Sequence, residues 1–246
     1  MASSEKLLAL GALVAFALVV AEPARAQMLG APVLQNAFTN SGFTLGVDYG
    51  SGNHRQSYGG AVSWSPATAF LQLDAGVAYL KTTNASGTAT YGARLMIPVL
   101  GRSSAYGVAP FLGMGGANFD GINDWQIPLG VAFGYRRAVG TNGRGISAYV
   151  SPFYSWARVR ENAQTTTHAL FRVSVGVDAA VSQSVGVTVG YETGAKAGTG
   201  QPGATGGIFG LGASYALSHG RQPANASVRK RVAAPDSTSS TPLSAP

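Results

Sequence analysis

Alternation with a period of two residues, sustained along most of the chain, is the feature that most restricts its fold. Ala169, Phe171, Val173, Val175, Val177 and Ala179 interleave with Leu170, Arg172, Ser174, Gly176 and Asp178. A strand turns successive side chains to opposite faces, so this stretch has one apolar face and one mostly polar or small face. The pattern starts with Phe43, Leu45, Val47 and Tyr49, then Tyr58, Gly60, Val62 and Trp64. Third and fourth strands carry Leu71, Leu73, Ala75, Val77 and Tyr79, then Tyr91, Ala93, Leu95, Ile97 and Val99. A fifth has Tyr106, Val108, Pro110, Leu112 and Met114, and a sixth has Trp125, Ile127, Leu129, Val131, Phe133 and Tyr135. The seventh shows Ile146, Ala148, Val150, Pro152, Tyr154 and Trp156. After the eighth, quoted first, Val185 to Tyr191 and Phe209 to Leu217 supply two more.

The second face decides what kind of sheet this is. Opposite Val62 and Trp64 lie Ala61, Ser63 and Ser65, and opposite Leu129 to Tyr135 lie Gly130, Ala132, Gly134 and Arg136. A water-soluble sheet needs a charged outer shell, which these residues do not provide, whereas small and polar residues suit a cramped lumen whose outer wall meets lipid. Only 11% of the residues are charged and 34 are Gly, yet no apolar run in the body approaches the roughly 18 residues of a spanning helix. The fold class expected is therefore all-β, an antiparallel up-and-down transmembrane β-barrel. Ten strands fit the even number such barrels use. Pro110, Pro128 and Pro152 fall inside strands, where each lacks a ladder donor, so bulges or broken pairing are expected near them and the count could drop to eight.

Both ends of the chain differ from this body. Lys6, the apolar stretch Leu7 to Ala21 and the small-x-small sequence Ala24-Arg25-Ala26 form a secretory signal, predicting cleavage before Gln27. The organisation expected is a signal peptide at 1–26, a periplasmic segment at 27–39, a barrel at 40–218 and a disordered basic tail rich in Pro and Ser at 219–246. Removing residues 1–26 takes away two bases and two acids, so the formal charge stays at +7. Arg229-Lys230-Arg231 resembles a nucleic-acid patch, but an exported chain meets no genome, and a solvated tail is the plainer account. With no cysteine, neither disulfides nor thiolate sites exist.

The stretch Gly210-Leu211-Gly212-Ala213-Ser214-Tyr215-Ala216-Leu217 resembles the last-strand assembly signal of small bacterial outer-membrane β-barrel proteins, the group of the OmpA transmembrane domain and the opacity-type porin family. The resemblance spans residues 40–218. Leu217 stands where that group has a terminal aromatic, and the tail lacks the pattern of an appended peptidoglycan-binding domain. The resemblance implies an integral protein of the Gram-negative outer membrane, in contact with outer-membrane lipids and lipopolysaccharide and with the outer-membrane assembly machinery.

Alternation aims eight charges into the lumen: Asp48, Asp74, Arg94, Asp124, Arg136, Arg172, Asp178 and Glu192. Unpaired charge is costly there, so either a structural salt-bridge network or an ion-selecting constriction is expected, with Asp74 near Arg94 and Arg172 near Glu192. Tyr49, Tyr58, Trp64, Tyr79, Tyr91, Tyr106, Trp125, Tyr135, Trp156, Tyr191 and Tyr215 fall mostly near strand ends, as interfacial girdles do. Longer connections at Ser51 to His54, Thr82 to Gly87, Ala117 to Asn123, Arg158 to Thr167 and Thr193 to Thr205 are expected at the outer end, with both termini periplasmic. His54, His168 and His219 are the only histidines, and neither Ser174 with His168 nor Asp120 with Asp124 forms a local catalytic motif. No enzyme activity, metal or cofactor is implied. A structural or surface-interaction barrel with a restricted lumen is the reading favoured, a small passive diffusion channel the alternative, and a lipid-modifying or proteolytic barrel enzyme the least favoured.

Overall fold

The computed structural model describes residues 37–38, 41–52, 55–66, 70–82, 85–100, 104–119, 122–139, 144–161, 164–194 and 207–217. The signal peptide, the basic tail, His54 and His219 lie outside the described residues. Ten strands form one closed antiparallel barrel, not eight: β1 (Gly42–Gly52), β2 (Arg55–Ser65), β3 (Gln72–Thr82), β4 (Ala85–Met96), β5 (Tyr106–Phe119), β6 (Ile122–Ala138), β7 (Gly145–Glu161), β8 (Gln164–Ala180), β9 (Val185–Gly194) and β10 (Ile208–Ala216). Each pairs with its sequence neighbours, and β1 closes on β10 with Leu45 opposite Tyr215. The Leu217 N–H donates to the Phe43 carbonyl at 2.9 Å at the foot of this seam. Because the strand number is even, the start of β1 and the end of β10 share one end, here the termini end; the other is the hairpin end.

Register fixes the tilt. The ladder that leaves β6 at Asp124 passes Ala117, Thr90, Ala78, Gly59, Asp48, Gly212, Thr188, Asp178 and Ser147, and returns to β6 at Arg136, twelve residues nearer the termini end. Such a stagger requires steeply inclined strands, about 35–45° from the barrel axis. Residues on one ladder therefore sit at different depths. The alternation separates the faces cleanly: Val77 on the wall is 67% exposed, whereas Ala109 inside is 0% exposed.

Each proline coincides with an incomplete ladder. Pairing of β5 with β6 skips Gly113 and Met114 opposite Pro128 and Ile127, and pairing of β6 with β7 skips Val131 and Ala132 opposite Pro152 and Ser151. At Pro110 the Ile97 N–H donates to the Pro110 carbonyl at 2.9 Å, but Pro110 has no N–H to return, and the β4 strand has ended at Met96. The barrel accommodates the three missing donors without inserting a residue, since the register on both sides of each gap is continuous.

Strand ends depart from the sequence expectation. Arg158 to Thr167 and Ala117 to Asn123 are for the most part strand, because β7 runs to Glu161 before β8 starts at Gln164, and β5 runs to Phe119 before β6 starts at Ile122. Beyond the lipid the wall no longer has to be apolar, so hydrophobic alternation stops while backbone pairing continues. At the hairpin end only residues 53–54, 83–84, 120–121 and 162–163 separate four of the strand pairs, and 195–207 the fifth; the termini end has 66–71, 97–105, 139–144 and 181–184. Connection length does not mark out the hairpin end, but strand length does: β6, β7 and β8 have 17 residues each, against 9 to 12 in β1 to β4, β9 and β10.

Candidate functional site

From β3 to β9 inward residues pack on one another, whereas inward Gly46, Asp48, Ala61, Ser63 and Ser214 of β1, β2 and β10 stay half-buried. On β5, β7 and β8 the ladder runs from Phe111 through Gly130 of β6 to Phe153 and Arg172. Gly130 is what lets the two rings meet: a Cβ there would stand 2.3 Å from the Phe153 Cβ and 2.8 Å from the Phe111 Cζ. Phe111 and Phe153 pack edge to face with centroids 5.9 Å apart, a geometry that their ring quadrupoles favour. Each ring carries a guanidinium, Arg94 over Phe111 and Arg172 over Phe153, both 5.9 Å from the centroid.

Each guanidinium is in turn neutralised. Arg94 lies directly opposite Asp74 in the register, donating from Nη2 at 2.7 Å and Nε at 2.9 Å to Oδ2. Gln72 Nε2 donates to the other carboxylate oxygen at 2.6 Å. Arg172 reaches diagonally to Glu192, which is paired with Ser174; its Nε donates to Oε1 at 2.9 Å and its Nη2 contacts the same oxygen. The six side chains Asp74, Arg94, Phe111, Phe153, Arg172 and Glu192 thus form a chain of contacts from β3 to β9, here called the septum. All six are buried. Charges this deep persist only because both members of each pair are present and hydrogen-bonded.

Below the septum the plug continues with apolar packing. Met96, Ala109, Phe111, Ala132 and Phe153 form a buried cluster that also contains Ala37, which precedes β1. Phe38 follows it into the barrel: its ring lies 4.8 Å below the Arg136 Cζ and fills the space over Gly107 and Gly134, where a Cβ would stand 2.8 Å from the ring. Arg136 also donates from Nε to the Ser104 carbonyl at 3.1 Å.

The remaining inward charges go elsewhere. Asp178 accepts from Thr188 at 2.8 Å. Asp124, near the hairpin end, is hydrogen-bonded to Gln126 with Arg55 within Coulombic reach, and Gln126 accepts from Ser155 at 3.2 Å. Asp48 faces Gly59 and has no cation partner among the described residues. Of the eight charges, Asp74 with Arg94 and Arg172 with Glu192 form ion pairs, as the register expectation had them. Among the described residues, Arg94 Nη1, Asp124 Oδ1 and His168 Nε2 are buried side-chain atoms without a hydrogen-bond partner. Ser174 and His168 sit six residues apart on β8, roughly 20 Å along a strand, so they cannot act as a nucleophile and its base.

Outward aromatics fall in two bands. Phe43 and Trp64, with centroids 6.5 Å apart, Tyr106 and Tyr135, 5.3 Å apart, and Tyr215 ring the termini end. Tyr49 and Tyr58, 5.2 Å apart, continue through Tyr79 on one ladder; Tyr91, Trp125, Trp156 and Tyr191 complete the band toward the hairpin end. Sequence reasoning missed Phe38, Phe111, Phe153 and Gln126. The signal was available for the two central rings, since the parity that sends Leu112 and Tyr154 outward sends them inward.

No family model matches the chain, and no curated protein matches it. Among solved structures, it resembles the β domain of the Bordetella autotransporter BrkA, with 11% identity, a TM-score of 0.50, and coverage of 72% of this chain and 100% of that one. Neisserial surface protein A aligns at 12% identity, covering 72% and 98%, with a TM-score of 0.37. Ail, the attachment invasion locus protein of Yersinia pestis, aligns at 11%, covering 72% and 99%, with a TM-score of 0.33. At such identities the likeness concerns the fold. Closed pairing, an apolar wall and a polar interior make the chain an integral β-barrel of the Gram-negative outer-membrane type.

Proposed function

We propose that this chain is an outer-membrane barrel with a sealed lumen, serving a structural or surface-contact role, with the hairpin end facing outward and both termini periplasmic. The observation that carries the sealed reading is the septum, in which Phe111 and Phe153 touch across Gly130 and are backed on both sides by neutralised guanidinium groups. Along the β3–β9 wall an ion meets rings and paired charges rather than a ring of charges of one sign, which is one common lining of a selective pore. The tall β5–β8 flank supports the orientation, because the larger projections of such barrels face the cell exterior.

The passive-channel reading has one observation in its favour: Arg94 Nη1, Asp124 Oδ1 and His168 Nε2 are buried without a protein partner, and buried polar atoms of this kind take water. Water at Asp124 and His168 is compatible with both readings, whereas water at Arg94 Nη1 would stand inside the septum and favour the channel. Single-channel recording in a planar bilayer separates them. The sealed reading expects no steady conductance from the wild type and its appearance in Phe111→Ala/Phe153→Ala, which removes both rings. Steady wild-type conductance, with ion preference altered by Arg94→Ala, would establish the channel instead.

A further inference from the structure

One outward column on β7 changes character stepwise toward the hairpin end: Tyr154, Trp156, Arg158, Arg160. The first two belong to the apolar wall, 54% and 44% exposed, and the two guanidinium groups are exposed above them. Register places Trp125 of β6 beside Arg158 on one side and Thr167 of β8 on the other. Arg160 lies between Asn123 and Thr165, so no carboxylate faces either arginine across the ladders. Neither guanidinium has an ion pair or hydrogen bond among the described residues, whereas Arg94, Arg136 and Arg172 inside the barrel are all engaged.

That column has the polarity profile of a phosphorylated amphiphile lying along the wall, with acyl chains against Tyr154, a headgroup boundary at Trp156 and Trp125, and anionic charge at the two arginines. Indole rings settle at the lipid–water boundary, and a guanidinium offers phosphate a bidentate fork that a lysine cannot. We propose that Arg158 and Arg160, with Trp125 and Trp156 beneath them, form a seat for the phosphate groups of an outer-leaflet glycolipid of the lipid A class. The assignment rests on the orientation proposed above, since the opposite orientation would place these residues in the inner leaflet.

The test titrates the purified full chain, in neutral detergent micelles, with bisphosphorylated lipid A and with the same lipid A stripped of phosphate, reading bound lipid by native mass spectrometry. The wild type is expected to prefer the phosphorylated form by about tenfold or more, as two surface guanidinium groups would provide. Arg158→Ala/Arg160→Ala should abolish the preference, while Arg137→Ala/Arg144→Ala, at the termini end, should keep it. A wild type that binds both lipids equally overturns the proposal without needing any variant, and so does a folded double variant that retains the preference. Orientation is read separately by attaching a membrane-impermeant maleimide to Thr165→Cys on intact cells. Labelling without a phosphate preference removes the seat and leaves the orientation standing. Labelling only after permeabilisation removes the orientation and, with it, the lipid A assignment.

Discussion

The septum and the mouth of the lumen at the hairpin end are built from the same alternation but satisfy their polar groups to different degrees. Within the septum each carboxylate is bound by a guanidinium, and each guanidinium rests on a ring. At the mouth, Asp124 and His168 each keep a buried atom without a partner among the described residues, while inside the septum only Arg94 Nη1 does. The difference teaches that inward direction alone does not define a site. Partners on neighbouring strands, set by register along steeply inclined strands, decide which inward charges are neutralised.

The sharpest way to break this contrast is to orphan a septum charge. Arg172→Ala leaves Glu192, 1% exposed, without its cation, and should cost about 3–5 kcal/mol in urea unfolding from lipid vesicles. Arg172→Ala/Glu192→Ala should regain part of that loss, because the stranded charge is gone. If the single variant unfolds like the wild type, the pair is not desolvated and the septum is wet.

The outer wall offers a second comparison at matched chemistry. Val175, opposite Tyr191 and Val150, lies midway between the aromatic bands, while Thr167 stands beside Arg158 beyond them. Val175→Arg should cost about 2–4 kcal/mol and Thr167→Arg about 0–1 kcal/mol, following the depth dependence of charge on a lipid-facing wall. Equal penalties in the same unfolding assay would show that the two positions share one environment.

Gly130→Ala probes the crossing of the rings. Its new methyl would stand 2.3 Å from the Phe153 Cβ and 2.6 Å from the Pro152 carbonyl oxygen, so rings or backbone must shift, at about 1–3 kcal/mol. Loss of the cold-gel mobility of the folded barrel at a lower temperature would record it. The smallest effect belongs to the mouth: Asp124→Asn keeps the shape and removes a charge that forms no ion pair among the described residues, and should change stability by less than about 1 kcal/mol. A loss as large as that of Arg172→Ala would mean that the mouth is as dry as the septum.

The sequence made the faces legible because lipid on one side and a narrow lumen on the other impose a strict binary choice at every residue. Ten strands and the inward direction of Asp74, Arg94, Arg172 and Glu192 follow from that choice. Strand ends were not legible where the choice lapses: Arg158, Arg160, Thr165 and Thr167 read as a polar loop, yet they form the tall flank. The septum was hidden for another reason. Phe111 and Phe153 are 42 residues apart in sequence, on strands that do not pair with each other, and they meet only because register brings Gly130 between them. Alternation gives direction but not depth, and contact between next-but-one strands depends on depth.

Ala37 and Phe38 have a mechanical consequence. They precede the first strand yet sit inside the termini end, with Phe38 held against Gly107, Gly134 and Arg136. Tension applied upstream of Ala37 is delivered to this stopper before it reaches any hydrogen bond of the β1 ladders. The barrel can therefore yield in two stages, withdrawal of the ring at low force and unzipping of strands at high force, so that a tug on the chain uncorks one end while the wall stays closed.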